Sequence, residues 1–151
     1  MPRPIPDGYH AVTPYLICRG AQQAIEFYTR AFQAKELYRM PGPDGKIMHA
    51  EIQVGDSRVM LADETPDFRS PQTVGGTSVS IMLYVNDVDA TFRRAIDSGA
   101  TVLRDVKNQF YGDRTGTLAD PFGHVWTIGT HVEDVSPAEM KRRMAEQGHP
   151  A

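Results

Sequence analysis

The chain carries an internal copy of itself. Displaced by about 67 residues, its first half overlies its second. Tyr15-Leu16 falls on Met82-Leu83, Ala21 on Val88, Ile25 on Phe92, Tyr28 on Ala95 and Ala34 on Thr101. Gly55, closing one strand-like run, comes within one residue of Gly123, which closes another. Each half reads as a strand, a helix and three further strands. Such a duplication implies two similar modules packed together, and the seam or hollow between them is where a small molecule is expected.

Modules of about 65 residues are marginal alone, so one α+β domain over residues 1–151 is expected. Its parts are module one at about 10–64, a linker at about 65–77, module two at about 78–131 and a terminal helix at about 136–147. Lys and Arg total 16 against 19 Asp and Glu, a net charge of −3. That balance lacks the basic patch that nucleic acid or an anionic membrane requires. Cys18 is the only cysteine, which rules out an intrachain disulfide and a cysteine-based zinc site. Met1-Pro2-Arg3-Pro4-Ile5-Pro6 lacks the apolar run of a signal peptide, and no apolar stretch approaches membrane-spanning length. The expectation is a soluble, cytoplasmic protein.

Local patterning supplies the elements. Strands are expected at Val12–Cys18, Lys35–Met40, Ile47–Val54, Ser57–Ala62, Val79–Val85, Thr101–Val106, Arg114–Ala119 and His124–Thr130. A helix is expected over Ala21–Phe32, with Ala21, Ala24, Ile25, Tyr28, Ala31 and Phe32 on one stripe. A second is expected over Val88–Asp97, with Asp87 as N-cap and Gly99 as its stop. Ser136-Pro137-Ala138-Glu139 has the spacing of a capping box with Pro in the first helical position. The segment Asp63 to Thr77 reads as a linker or as a mobile loop over the site.

Successive strand residues point to opposite faces. Val79, Ile81, Leu83 and Val85 therefore share an aliphatic face, and Ser80, Met82 and Tyr84 share the other. Met48, Ala50, Ile52 and Val54 oppose His49, Glu51 and Gln53 in the same way. Val59 and Leu61 continue the aliphatic face; Arg58, Met60 and Ala62 continue the mixed one. The aliphatic faces should pack on the helices. A two-residue turn at Gly55-Asp56 sets Glu51 opposite Met60 and His49 opposite Ala62.

Together the βαβββ duplication, Ala24-Ile25-Glu26-Phe27-Tyr28 in the first helix and Asp120-Pro121-Phe122-Gly123-His124 before the last strand resemble the vicinal oxygen chelate superfamily. That superfamily includes glyoxalase I, bleomycin-resistance proteins and extradiol dioxygenases. Met48-His49-Ala50-Glu51, Gly55-Asp56-Ser57-Arg58 and His131-Val132-Glu133-Asp134-Val135-Ser136-Pro137 look most like its PhnB-like branch. The resemblance implies a curved mixed sheet forming a cup, helices on its outer face, and a homodimer. It places the superfamily's four metal-ligand positions at Thr13, Met60, Ser80 and Thr127. None of these supplies an imidazole or carboxylate. No metal and no other cofactor is therefore expected there. A further departure is Gln33, where the family usually ends its first helix with Gly.

His49 and Glu51 are the best chemical pair in the sequence. Two apart on one strand, they share a face and suit proton transfer, a ligand's polar group or an atypical metal. A solvated or purely structural pair is the plainer reading. Tyr15, Met60, Met82 and Tyr84 line the expected cup, as Met and aromatic residues do in adaptable apolar pockets. Trp126 and Cys18 read as core, His124 as part of a structural turn, and His10, His131 and His149 show no partner in the sequence. Tyr111 and Arg114 stand where they could reach over the cup. The leading expectation is a protein that binds or sequesters a small, partly apolar organic molecule. Thr13, Tyr15, His49, Glu51, Met60, Ser80, Met82, Tyr84 and Thr127 would surround that ligand. The alternative is a lyase, isomerase or dioxygenase-type enzyme using His49 and Glu51. A protein of purely assembling role, with a vestigial cup, is the third reading. Whether the cup forms within one chain or between two stays open.

Overall fold

In the computed structural model, residues 1–148 are described, and His149 lies outside them. The elements run β1 (Tyr15–Cys18), α1 (Ala21–Phe32), β2 (Lys35–Pro41), β3 (Ile47–Val54), β4 (Ser57–Asp63), α2 (Pro71–Val74), β5 (Ser80–Tyr84), α3 (Val88–Asp97), β6 (Thr101–Asn108), β7 (Asp113–Ala119), β8 (Val125–His131) and α4 (Pro137–Glu146). The βαβββ order thus occurs twice.

Among the described residues the strands form two four-stranded mixed sheets, ordered β1-β4-β3-β2 and β5-β8-β7-β6. In each sheet the first strand pairs parallel with the last, and the other pairs are antiparallel. The hairpin register is the expected one: Val54 pairs with Ser57, and Glu51 with Met60.

The helices α1 and α3 each cover the aliphatic face of their own sheet because their apolar stripes recur at helical spacing. All six stripe residues of α1 are buried, with Phe27 in addition. Val88, Phe92 and Ala95 are buried on α3. Both helices and both aliphatic sheet faces feed one core, from Leu16, Ile52 and Leu61 in module one to Leu118, Trp126 and Ile128 in module two. The Phe32 and Trp126 rings lie 4.7 Å apart within it, and Arg94 of α3 donates to the Ala31 carbonyl of α1.

Asp120 explains the Asp-Pro-Phe-Gly turn. Its buried carboxylate accepts the Tyr28 hydroxyl at 2.5 Å, the Trp126 indole N–H at 3.0 Å and the backbone N–H groups of Phe122 and His124. Asp63 does similar work in module one. Gly20 precedes α1 without a capping side chain, and Asp63 accepts the N–H groups of Gly20 and Ala21 in its place. The His124 ring meets the Ile17 carbonyl at 2.9 Å, and Cys18 is fully buried. Burial, with Asp120 and Asp63 nearby, holds the Cys18 thiol far above its ordinary pKa.

Several local expectations need correction: β1 begins at Tyr15 rather than Val12, and Val79 precedes β5 and is 69% exposed instead of sharing its aliphatic face. Met48 does not share the aliphatic face with Ala50, Ile52 and Val54. The β2–β3 register shifts between Met40 and Pro41, and there the alternation breaks: Ile47 is buried and Met48 is 60% exposed. The segment after Asp63, expected as a linker or a loop over the site, carries hydrogen bonds of its own. Glu64 accepts hydrogen bonds from Thr73, Ser70 and Arg19, and Ser70 caps α2. Those bonds, led by the Thr73 hydroxyl, hold the Glu64 carboxyl down at about 2.

Candidate functional site

The faces turned away from the helices are open. On module one, β1 presents Tyr15 and Ile17, β4 presents Met60 and Ala62, and β3 presents His49 and Glu51. Their order follows from register: Tyr15 pairs with Met60, Ile17 with Ala62, and Met60 with Glu51. At the C-terminal ends of β1 and β4 lies a cavity of about 930 Å³. Tyr15, Ile17, Ile47, Met48, Ala62 and Phe68 form its apolar wall, and Lys46, Asp63 and Glu64 are the charged residues on its lining. Phe68 comes from the linker, where Thr65 and Phe68 exchange backbone hydrogen bonds. Ile17, Ile47 and Phe68 were not anticipated from sequence. Strand alternation could have shown Ile17; the bulge and the linker path hid the other two.

Tyr15, His49 and Glu51 form a connected chain. The Tyr15 hydroxyl lies 2.8 Å from His49 Nδ1, and His49 Nε2 lies 3.3 Å from Glu51 Oε2. A carboxylate only accepts, so Nε2 carries a proton, and in the neutral ring Nδ1 is then the acceptor of the Tyr15 proton. Partial burial raises the Tyr15 phenol above its ordinary value. The phenol, imidazole and carboxylate thus line up as hydroxyl, base and orienting group, the order in which an activated hydroxyl is built.

The open face of module two carries Met82 and Tyr84 on β5, Thr127 and His131 on β8, and Asp113, Thr115 and Thr117 on β7. A hollow of about 670 Å³ there is lined by Gln109, Tyr111, Thr115, Thr117 and Thr127, among others. The Thr117 and Thr127 hydroxyls are 2.9 Å apart. Tyr84 donates to buried Asp113 at 2.7 Å, and His131 sits 2.7 Å from both Asp113 and Asp134. His131 therefore has partners: Asp113, brought in by the β7–β8 pairing, and Asp134, three residues further on. Those carboxylates, Asp134 foremost, raise its pKa, and Asp113 raises that of Tyr84. Tyr111 lines the hollow, but Arg114 turns away to make a two-pronged ion pair with Asp89 of α3.

The structure divides the nine expected ligand-facing residues by module. Tyr15, His49, Glu51 and Met60 come together on one open face, and Met82, Tyr84 and Thr127 on the other. Thr13 precedes β1 at a smaller hollow between the modules that also borders Met82, and Ser80 is exposed beside Val125. The polar bonds of these open-face side chains stay within their own module. A metal at Thr13, Met60, Ser80 and Thr127 does not fit the donor chemistry, which is three hydroxyls and a thioether. Thr127 is moreover bonded to Thr117. Among the described residues, no group of three His, Cys, Asp or Glu side chains is arranged to hold a metal ion.

A duplicated βαβββ fold with one helix behind each sheet and an open face before it defines the class. The chain belongs to the Glyoxalase/Bleomycin resistance protein/Dioxygenase superfamily, whose family model matches residues 9–128. It is 46% identical over 143 residues to an uncharacterized protein of Mycobacterium tuberculosis, covering 91% of this chain and 84% of that protein. Its fold is similar to that of TioX from Micromonospora sp. ML1, with a TM-score of 0.65 and 23% identity over 84% of this chain and 100% of that one. A PhnB protein from Bacillus cereus matches at a TM-score of 0.63 and 18% identity, over 80% of this chain and 99% of the other.

Proposed function

We propose that this protein binds a small, partly apolar organic molecule against the open face of module one, and that a second copy of the chain closes the cup. The cavity of about 930 Å³ carries the reading: it has an apolar wall, and the polar Tyr15–His49–Glu51 chain reaches it through Tyr15. A second copy is supported by the apolar side chains left exposed on both open faces, Tyr15, Met48, Phe68, Met82 and Tyr84 among them. Large apolar side chains gathered on an open face are what a partner would cover. Module two of one copy facing module one of the other would bring both halves of the expected ligand set around one molecule. Residence in the cytoplasm fits a chain whose one cysteine is a buried thiol. Among the described residues no helix is long and apolar enough to cross a membrane.

Native mass spectrometry of freshly purified protein tests this directly. A dimer retaining a small organic mass is expected. A monomer that takes up no apolar probe at millimolar concentration would refute it. Enzymatic turnover is the second reading, favoured by the hydroxyl–imidazole–carboxylate order of Tyr15, His49 and Glu51.

A further inference from the structure

We propose that Tyr15 accepts a proton from an acidic hydroxyl of the bound molecule while passing its own to His49, so that the site selects phenol- or enol-like compounds. This rests on the reading that the module-one cavity holds an organic ligand.

Of the three connected residues, only Tyr15 lines that cavity. His49 and Glu51 stand behind it, with side chains 23% and 21% exposed. Both ring nitrogens of His49 are engaged, Nδ1 by Tyr15 and Nε2 by Glu51. Tyr15 has one hydroxyl proton, and the bonding pattern commits it to Nδ1. What its oxygen offers the cavity is therefore lone pairs. A ligand hydroxyl, which brings a proton, completes that oxygen; an ether or ester oxygen would set two acceptors against each other. The apolar part of the lining, with Ile17, Ile47, Met48 and Phe68, suits an unsaturated or aromatic frame.

The transfer balances without a co-reactant. The ligand O–H bond breaks as a new Tyr15 O–H bond forms. The original Tyr15 O–H bond breaks as an Nδ1–H bond forms on His49. The products are a ligand oxyanion and an imidazolium facing the Glu51 carboxylate. Three charged groups stand on the cavity, Lys46, Asp63 and Glu64. The Asp63 carboxylate is taken up by the N–H groups of Gly20, Ala21 and Ile47, and that of Glu64 by Thr73, Ser70 and Arg19, whereas Lys46 has no carboxylate partner among the described residues and is the cation left for that oxyanion.

The test compares 4-nitrophenol with 4-nitroanisole, in which a methyl group replaces the hydroxyl proton. Equilibrium dialysis reads affinity, and the phenolate absorbance band reads ionisation of the bound probe. The full-length protein should bind the phenol about tenfold more tightly than the ether, the ratio expected of one charge-assisted hydrogen bond. It should also show the phenolate band at a lower pH than the free probe. Tyr15→Phe should bring the affinity ratio close to unity and return the band to its solution pH. Glu51→Gln removes the charge that holds the imidazolium, and should move the onset of ionisation upward even where some preference for the phenol persists. Circular dichroism confirms that each variant is folded. Equal affinity for the two probes in the unaltered protein would overturn the proposal and leave the cavity reading standing. So would Tyr15→Phe, or Glu51→Gln if the former does not fold, keeping the unaltered onset pH. If neither probe binds, the cavity reading falls and this proposal falls with it. Phe68→Ala should weaken both probes together, which locates them in the cavity.

Discussion

Tyr28 of α1 and Asp120, 92 positions later, meet in a buried 2.5 Å hydrogen bond that ties the helix of module one to the last turn of module two. The same carboxylate holds Trp126, whose ring packs 5.5 Å from that of Tyr28. The phenol is pushed well above its ordinary pKa, first by burial and then by Asp120, and stays a donor. The two modules therefore share polar as well as apolar contacts.

Asp120→Ala should be among the most damaging single changes. It would orphan the buried donors of Tyr28 and Trp126 and strip two backbone N–H groups of the turn. Each buried group left unpaired costs about 1–3 kcal/mol, so a loss of roughly 3–5 kcal/mol is expected. Urea denaturation measures it; a loss below about 1 kcal/mol would show that the modules do not depend on this bond.

Because the core runs through both modules, we expect residues 1–151 to unfold as one cooperative unit. A fragment ending near Thr73 should lack a sharp thermal transition. A monomeric fragment that melts cooperatively would make each module an independent domain.

Gln33 closes α1 with a left-handed backbone, φ 56°, a conformation that costs a side-chain-bearing residue about 1–2 kcal/mol. Part of that gain is offset by the extra freedom glycine brings to the unfolded chain. Gln33→Gly should stabilise the protein by roughly 0.5–1 kcal/mol, a rise in Tm of about 2 °C. A fall in Tm would mean that the Gln33 side chain does something that its cap geometry does not reveal.

His131 gives the fold a pH dependence. Asp134 and Asp113 raise its folded pKa above 6.5. Its stabilising contribution is therefore complete below that ordinary value and is lost as pH rises through the raised one. Melting temperature should fall across that interval, and His131→Gln should flatten the profile. A wild-type profile unchanged by the substitution counts against the contacts with Asp134 and Asp113 alike.

Equilibration with Zn, Ni, Mn or Fe followed by dialysis should leave substoichiometric metal, since Thr13, Met60, Ser80 and Thr127 offer no imidazole or carboxylate. Retention of a full equivalent, abolished by Thr127→Ala, would reverse that expectation. Loss of the metal in His49→Ala instead would move the site to the Tyr15–His49–Glu51 chain.

Most of the fold follows from local rules that need no partner to be visible. The apolar period marks α1 and α3, and alternation assigns the faces of β4 and β5. The Gly55-Asp56 turn fixes the Glu51–Met60 pairing, because two turn residues leave one register. Hence His49 and Glu51 were legible as a pair: residues two apart on a strand must share a face. What the sequence could not supply depends on contacts between distant strands and loops. The bulge that exposes Met48 comes from the match between β2 and β3. Phe68 reaches the cavity through the path of the linker, where its backbone bonds to Thr65, and Asp113 reaches His131 through β7–β8 pairing. Tyr15 was readable as cup lining, but its place at the end of the hydrogen-bonded chain was not. β4 lies between β1 and β3, so the distance from Tyr15 to His49 is set by packing across the sheet, which no local pattern records.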